Sequence, residues 1–265
     1  MTYGFIGLGH MARAIIGGMR RSGTFRDAVI LGAEPDAARA AEVAETYGVQ
    51  VVSAEEVMAR AQTVVLAVKP QVLPGLLPTL AAGARQGMLI VSIAAGKDTA
   101  FYEGYFPSGT PIVRVMPNIN AMVGYAAVAV AGGSYATAEH VAAVRAVFDT
   151  VGETFAIAEE LFSAFTALSG SSVAFAYRYI DVIARAAVAE GFDPETALAV
   201  SCAAALGSAK MAAESGIDPG TLVKMVCSPG GTTIEGIRTL DAEGFDETLT
   251  HAFEAVVRRD RELRG

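Results

Sequence analysis

Gly7-Leu8-Gly9-His10-Met11-Ala12 follows the apolar run Tyr3–Leu8 and opens a helical stretch. That is the G-x-G-x-x-A spacing of a dinucleotide-binding turn in its expected context. Gly7 permits the tight turn, Gly9 lets the backbone approach a pyrophosphate, and Ala12 is small enough for close helix–strand packing. The helix N-terminus attracts the phosphates. The competing reading is a glycine turn needed only for packing. His10 is expected at the surface of this turn, with no acid–base role. Glu34 ends the second apolar run, near the ~20-residue spacing at which an acid reaches the adenosine ribose hydroxyls. There it favours NADH over NADPH; otherwise it is a solvated loop acid before Pro35. Ala67-Val68-Lys69-Pro70, Ser92-Ile93-Ala94-Ala95-Gly96 and Arg114-Val115-Met116-Pro117-Asn118 each follow an apolar strand. Ligands gather at such carboxyl ends in doubly wound sheets. Lys69 reads equally well as a solvated turn residue.

A second glycine-rich turn, Ser228-Pro229-Gly230-Gly231-Thr232-Thr233-Ile234-Glu235, also enters a helix. Thr232 and Glu235 have capping-box spacing, so the bland expectation is a helix start in which the two satisfy each other's backbone donors. Two glycines ahead of the helix do more than a cap requires. They leave N–H groups approachable by an anion, and the helix dipole adds attraction, so a small carboxylate fits there. Hydrolase chemistry fares badly. Leu168-Ser169-Gly170-Ser171-Ser172 is not a nucleophile elbow, and no histidine lies between His140 and His251. Ser169 and Ser171 are expected as turn and N-cap residues, and Glu159-Glu160 as a helix start favoured by the dipole.

The elements that must position these residues change character along the chain. Strands are expected at Tyr3–Leu8, Ala28–Leu31, Thr63–Val68, Met88–Ile93, Ile112–Met116 and Ala126–Ala131, with helices such as Met11–Arg20, Asp36–Tyr47 and Glu55–Ala61 between them. This alternation argues an α/β doubly wound, mostly parallel sheet. After Phe155-Ala156-Ile157 the segments become helical: Glu159–Leu168, Ser171–Glu190, Pro194–Glu214, Pro219–Val226, Thr233–Ala242 and Asp246–Glu262. Two domains follow, 1–158 for dinucleotide and 159–265 all-α for substrate and dimerisation. The alanine-rich helices of the second half suit burial against a partner, or equally a self-contained all-α core with alanine as filler. A net charge of −8 argues against nucleic acid or anionic membrane as partners, and the charge-free run Val115–Ala138 carries Pro117, Asn118 and Asn120, so it reads as buried strands and turns. Cys202 and Cys227 with three scattered histidines build neither a disulfide framework nor a metal site, and no basic leader precedes the first apolar run. The cytoplasm is the expected compartment.

Gly4–Met11, Ala67–Pro70, Arg114–Asn118, Leu168–Ser171, Leu206-Gly207-Ser208-Ala209-Lys210-Met211 and Ser228–Thr233, in that order, resemble the pyrroline-5-carboxylate reductases. The resemblance covers essentially the whole chain, and the last motif is the most specific. It implies a Rossmann domain followed by a helical domain that interlocks with its twin, as a homodimer or a decamer of five dimers. It implies NAD(P)H-dependent reduction of a cyclic imino acid to proline. By that resemblance Ile6, Gly7, Leu8, Gly9, His10, Met11, Ala67, Val68, Lys69, Pro70, Ala94 and Ala95 contact the cofactor, while Gly231, Thr232 and Thr233 hold the substrate carboxylate. Thr233 also faces the ring nitrogen; its hydroxyl or a bound water is the available proton donor. Family habit is NADPH, against which Glu34 leans to NADH. The chain departs from the family at Ser172, Val173 and Phe175, where Gly-Pro-Ala-Tyr is common, and at Ile119-Asn120, where Thr-Pro is frequent. Those changes leave open a reductase of another small cyclic imino acid, or a protein that binds dinucleotide without turnover. A β-hydroxyacid dehydrogenase would need a lysine early in the helical half, and none lies between Lys97 and Lys210.

Overall fold

The computed structural model describes residues 1–264. Its strands are β1 (Thr2–Ile6), β2 (Val29–Ala33), β3 (Gln50–Val51), β4 (Thr63–Leu66), β5 (Leu89–Ser92), β6 (Ile112–Met116), β7 (Ala126–Gly132) and β8 (Gly152–Ala156). They form one sheet in the order β3-β2-β1-β4-β5-β6-β7-β8, parallel throughout except where β7 runs against β6. Helices α1 (His10–Arg21), α2 (Ala37–Tyr47), α3 (Ala54–Arg60), α4 (Leu73–Ala82), α5 (Thr99–Glu103) and α6 (Ala138–Phe148) connect them. Then come α7 (Phe162–Phe165), α8 (Ser172–Ala189), α9 (Pro194–Glu214), α10 (Pro219–Val226), α11 (Thr232–Ala242) and α12 (Phe245–Arg264).

Successive strand residues point to opposite faces, and each face has its own core. On one, Phe5, Val65, Val91, Val113 and Val128 pack with Ile15, Ile16 and Met19 of α1 and Val144, Val147 and Phe148 of α6. On the other, Ile6, Leu66, Ile90 and Ile112 pack with Val57 and Met58 of α3, Leu73, Leu77 and Leu80 of α4, and Tyr102 of α5. Each such side chain contributes roughly 1.5–3 kcal/mol through burial. The run Val115–Ala138 holds the end of β6, a 3₁₀ helix at Ile119–Val123, β7 and the first residue of α6; its strands are largely buried as expected, whereas Ile119, Met122, Val123 and Tyr125 are exposed.

Contacts divide the chain into a first unit, Met1–Gly170 together with the residues from Val257 onward, and a second unit, Ser171–Val256. By contacts, residues 159–170 thus group with the sheet, beyond the boundary expected at residue 158. Residues 159–170 pack on the sheet: Phe162 and Phe165 meet Ala129 and Ala131, and Glu159 pairs with the buried Arg114. This stretch is also not the single helix expected over Glu159–Leu168. It is a 3₁₀ turn (Glu159–Leu161), α7, and a π-helical turn (Thr166–Ser171). Ser169, expected in an ordinary turn, lies inside the π turn, buried; its hydroxyl donates to the Ala127 carbonyl and accepts from Asn118 Nδ2. Ser171 takes the N-cap position of α8 without a capping bond from its side chain.

In the second unit, Asp193 and Asp218 cap α9 and α10 by accepting from the Thr196 and Thr221 amides, as their Asp-Pro pairs predict. Burial is sparse there: Ala184, Ala197 and Ser201 are the buried residues on α8 and α9. Among the described residues, α9 is the one helix long and apolar enough to cross a membrane by length and composition.

Candidate active site

The carboxyl ends of β1, β2, β4 and β5 bring the predicted cofactor residues together in the first unit. Gly7 turns the chain at φ +92°, and its amide donates to the Ala33 carbonyl at 2.8 Å. A Cβ there would lie 2.8 Å from the Ala67 carbonyl oxygen, so only glycine permits β1 to turn this close to the β4 turn. Ile6 and Leu8 are buried and fix the turn from below, and Ala12 is buried against the sheet. Gly9 is the N-cap of α1, makes no side-chain cap, and has open space where a Cβ would stand. His10 and Met11 begin the helix, with His10 exposed. Val68 flanks Gly7, Lys69 is exposed, and Pro70 starts a 3₁₀ turn. Ala94 is buried and Ala95 exposed in the turn after β5.

Glu34 is not a solvated loop acid. Its side chain is 5% exposed and its carboxylate accepts from the Leu8 amide (2.9 Å), the Asp36 amide (3.1 Å) and Arg39 Nη1 (3.1 Å). Arg39 also reaches Asp36 at 3.2 Å. Glu34 thus ties the end of β2 to the glycine turn, and Arg39 neutralises it at the rim.

In the second unit Gly231, Thr232 and Thr233 sit together at the start of α11, both threonines exposed. The capping box expected of Thr232 and Glu235 is absent. The N-cap is Gly231 with no side-chain cap, and Glu235 pairs with Arg238 at 2.6 Å. Gly230 turns at φ +72°, and the Ser228 hydroxyl occupies the place that a Gly231 side chain would need. The first-turn amides of α11 consequently keep their donors for a ligand.

Six other helices start with a side-chain cap, while α4, α7 and α8 start without one and without a leading glycine. Asp36, Ser53, Asp98, Thr137, Asp193 and Asp218 cap α2, α3, α5, α6, α9 and α10 with a side-chain oxygen. Where glycine leads α1 and α11, that oxygen is missing, and each start presents unpaired N–H groups with the positive end of the helix dipole.

A buried polar cluster behind the β5 and β6 turns escaped the sequence reading. Arg114, 2% exposed, pairs with Glu159 at 3.1 Å and lies over the Phe162 ring at 4.3 Å. Glu159 also accepts from the Thr99 amide and hydroxyl, at 2.9 and 2.7 Å. The Ser92 hydroxyl meets the Tyr102 hydroxyl. Burial pushes the Tyr102 phenol up to about 12, with Ser92 and Arg114 pulling the other way. An arginine inside the apolar strand Ile112–Met116 was the available signal: such a charge is buried only with a partner.

A doubly wound sheet with an open glycine turn after its first strand defines a dinucleotide-binding, Rossmann-type protein. Residues 2–96 match the family model described as NADP oxidoreductase coenzyme F420-dependent, and residues 159–263 match pyrroline-5-carboxylate reductase dimerisation. A pyrroline-5-carboxylate reductase of Methanosarcina acetivorans is 38% identical over 98% of this chain and 97% of its own. The crystal structure of 1-pyrroline-5-carboxylate reductase from Streptococcus pyogenes matches with a TM-score of 0.87 and 31% identity, over 99% of this chain and 98% of that one. The Plasmodium falciparum pyrroline carboxylate reductase with NADP bound shares the fold, with a TM-score of 0.90 and 24% identity over 100% of this chain and 98% of that one. The chain belongs to the pyrroline-5-carboxylate reductase family.

Proposed function

We propose that this protein reduces the cyclic imine 1-pyrroline-5-carboxylate to L-proline with NAD(P)H, as a cytoplasmic homodimer that associates further into a decamer. The observation that carries the reading is the pair of glycine-led, uncapped helix starts. Each suits an anion in a chain whose net charge would otherwise repel one. Gly7–Met11 take the pyrophosphate, Glu34 faces the adenosine ribose, and Ala67–Pro70 with Ala94 and Ala95 line the nicotinamide half. When bound, NAD(P)H would supply a hydride from C4 of the dihydronicotinamide to the imine carbon of the C=N bond, the ring carbon on the far side of the nitrogen from the carboxylate-bearing carbon. Gly231, Thr232 and Thr233 hold the substrate carboxylate, which fixes the ring against rotation. The Thr233 hydroxyl faces the ring nitrogen, where it or a water it holds delivers the proton that completes the amine. Rate arises mainly from alignment and exclusion of water.

Glu34 and Arg39 form one unit of cofactor choice. The carboxylate accepts ribose hydroxyls and disfavours a 2′-phosphate, while Arg39 softens that repulsion, so NADH is preferred modestly. The deciding assay follows NADH or NADPH absorbance with 1-pyrroline-5-carboxylate and with other small cyclic imines. Highest kcat/KM on the five-membered carboxylate supports the reading. A better six-membered substrate would redirect it, and cofactor binding without turnover would replace it with a non-catalytic role.

A further inference from the structure

Ile6, Leu66, Ser92 and Arg114 are register partners across β1, β4, β5 and β6, so their side chains share one face at the carboxyl edge of the sheet. The row begins apolar and ends polar. Ser92 is fully buried beside Leu66, where an apolar side chain would cost nothing, so its hydroxyl must answer for its own desolvation. It does so twice. It donates to the Tyr102 hydroxyl at 2.5 Å and accepts from the Ala94 amide at 3.2 Å. The Ala94 bond fixes the turn Ile93–Gly96 from inside, while the Ile93 amide returns to the Leu66 carbonyl at 3.2 Å.

Tyr102 is itself held. It lies on α5, whose first residue, Thr99, is gripped through amide and hydroxyl by Glu159, and Glu159 pairs with Arg114, the register neighbour of Ser92. Three side-chain links, the α5 backbone between Thr99 and Tyr102 and the β5–β6 register close a ring: Ser92, Tyr102, Thr99, Glu159, Arg114 and back to Ser92. The segment inside the ring is 93–98.

We propose that Ser92 and Tyr102 are positioning residues for hydride transfer, holding the Ala94–Ala95 turn in the shape that seats the nicotinamide. This rests on the reading that this turn lines the nicotinamide half of the cofactor site. Neither hydroxyl touches the reacting atoms. The phenol stays protonated across the working pH range, so the link is a fixed hydrogen bond and no proton is exchanged through it.

Tyr102→Phe keeps the ring and deletes the hydroxyl, and Ser92→Ala removes the same bond from the other side while also freeing the Ala94 amide. Three measurements read the result. In cofactor-free protein, hydrogen exchange at the Ala94 amide should quicken by about tenfold in Ser92→Ala and less in Tyr102→Phe, as a lost buried bond allows. The Kd for NADH, from fluorescence of the bound nicotinamide without substrate, should rise by about three- to tenfold. The kcat should fall by about 5- to 50-fold with the imine KM within about twofold, the pattern of misalignment. The double variant should be no worse than Ser92→Ala, since both changes break one chain of bonds. If Tyr102→Phe proves too unstable to purify, Ser92→Ala alone carries the test. Unchanged exchange and Kd in folded variants of an active enzyme would overturn this inference and leave the reductase reading standing. Wild-type protein that fails to reduce the imine would overturn both.

Discussion

In the first unit Phe5, Leu66, Ile90 and Phe148 are at most 1% exposed, whereas in the second Leu206, Met225 and Val226 stand 63–68% exposed. Both regions are rich in apolar residues; the first builds two cores from its own chain while leaving Met122, Val123, Tyr125 and Leu168 exposed, and the second builds almost none. The sheet offers two faces, and α1 to α6 cover both. Helices α8 and α9 pack on each other and bury little more than Ala184, Ala197 and Ser201, while Tyr177, Val182, Ile183, Leu198 and Val200 face outward. Apolar patches of this extent mark an interaction surface, and residues 159–263 match the dimerisation model of the family. The lesson is a division of labour: the dinucleotide half is self-sufficient, and the helical half is finished by a second copy.

The largest effect should come from breaking that division on the helical side. Leu206→Glu puts a charge where the partner's apolar surface would bury it, which is costly without a counter-charge. Light scattering should show monomer, and turnover should fall by about 100-fold or more, an expectation scaled from loss of a whole alignment surface. NADH binding, carried by the first unit, should stay within about twofold of wild type, the outcome expected when distant sites are independent. A wild-type monomer of full activity would break the comparison outright. Thr233→Ala acts within the same half without touching assembly. Turnover should drop on the order of 10–10³-fold, the span for one donor or proton-transfer group, with dimer and cofactor affinity intact. Wild-type rates in that variant would remove Thr233 from the chemistry.

How far the sequence carried depends on whether a feature was local. The ends of α9 and α10 match their expected bounds because Asp193-Pro194 and Asp218-Pro219 write the cap and the first turn into adjacent residues. Strand Ile112–Met116 matches because a continuous apolar run has one reading in a covered sheet. The two-residue β3 and the half-exposed β8 carry too little pattern to register, and they exist because a neighbouring strand pairs with them. At Thr232 the adjacent glycine took the cap, and Glu159 opens a 3₁₀ turn as expected but gains a tertiary partner that no local pattern shows. A helix-start acid there became the counter-ion of an arginine 45 residues away. The glycine turns were legible since glycine at Gly7 and Gly230 reports its own backbone. The Leu8 amide on Glu34 was not, because the two meet only after folding.

The grouping of residues 159–170 with the sheet can be tested directly. If residues 159–170 belong to the first unit, Glu159→Ala should destabilise that unit by about 3 kcal/mol, since removing one member of a buried ion pair is costly. Dimer association should be unchanged. Thermal unfolding with and without NADH, alongside light scattering, separates the two outcomes. Loss of the dimer with an unaltered first unit would return the segment to the helical half. Tyr102 adds an alkaline signature to the same core. Its folded phenol is raised from 10.0 to about 12, so the stability linked to keeping it neutral is complete below pH 10 and fades as pH climbs toward 12. Tyr102→Phe should flatten the dependence of unfolding free energy on pH in that window. An unchanged slope would mean the phenol is not held in its neutral form.

The smallest effect concerns cofactor choice, where the self-sufficient half is most finely balanced. In the proposed cofactor site Glu34 does two things at once: its charge would face the adenosine end, and one carboxylate oxygen holds the Leu8 amide of the glycine turn. Glu34→Ser would remove both, so a fall in affinity for either cofactor would not identify the cause. Glu34→Gln separates them in part: its amide oxygen still accepts from Leu8 while the negative charge is gone, and its NH2, a donor, replaces the oxygen that accepted from the Asp36 amide and Arg39. Arg39 would then be held by Asp36 alone, at 3.2 Å, and could turn toward a 2′-phosphate. With Arg39 40% exposed, the pair is worth at most about 1 kcal/mol, which corresponds to a shift of roughly fivefold in the kcat/KM ratio toward NADPH. Arg39→Ala should move the ratio the other way, toward NADH. If Glu34→Gln leaves the ratio where it was while Glu34→Ser weakens both cofactors equally, Glu34 anchors the turn and has no part in discrimination.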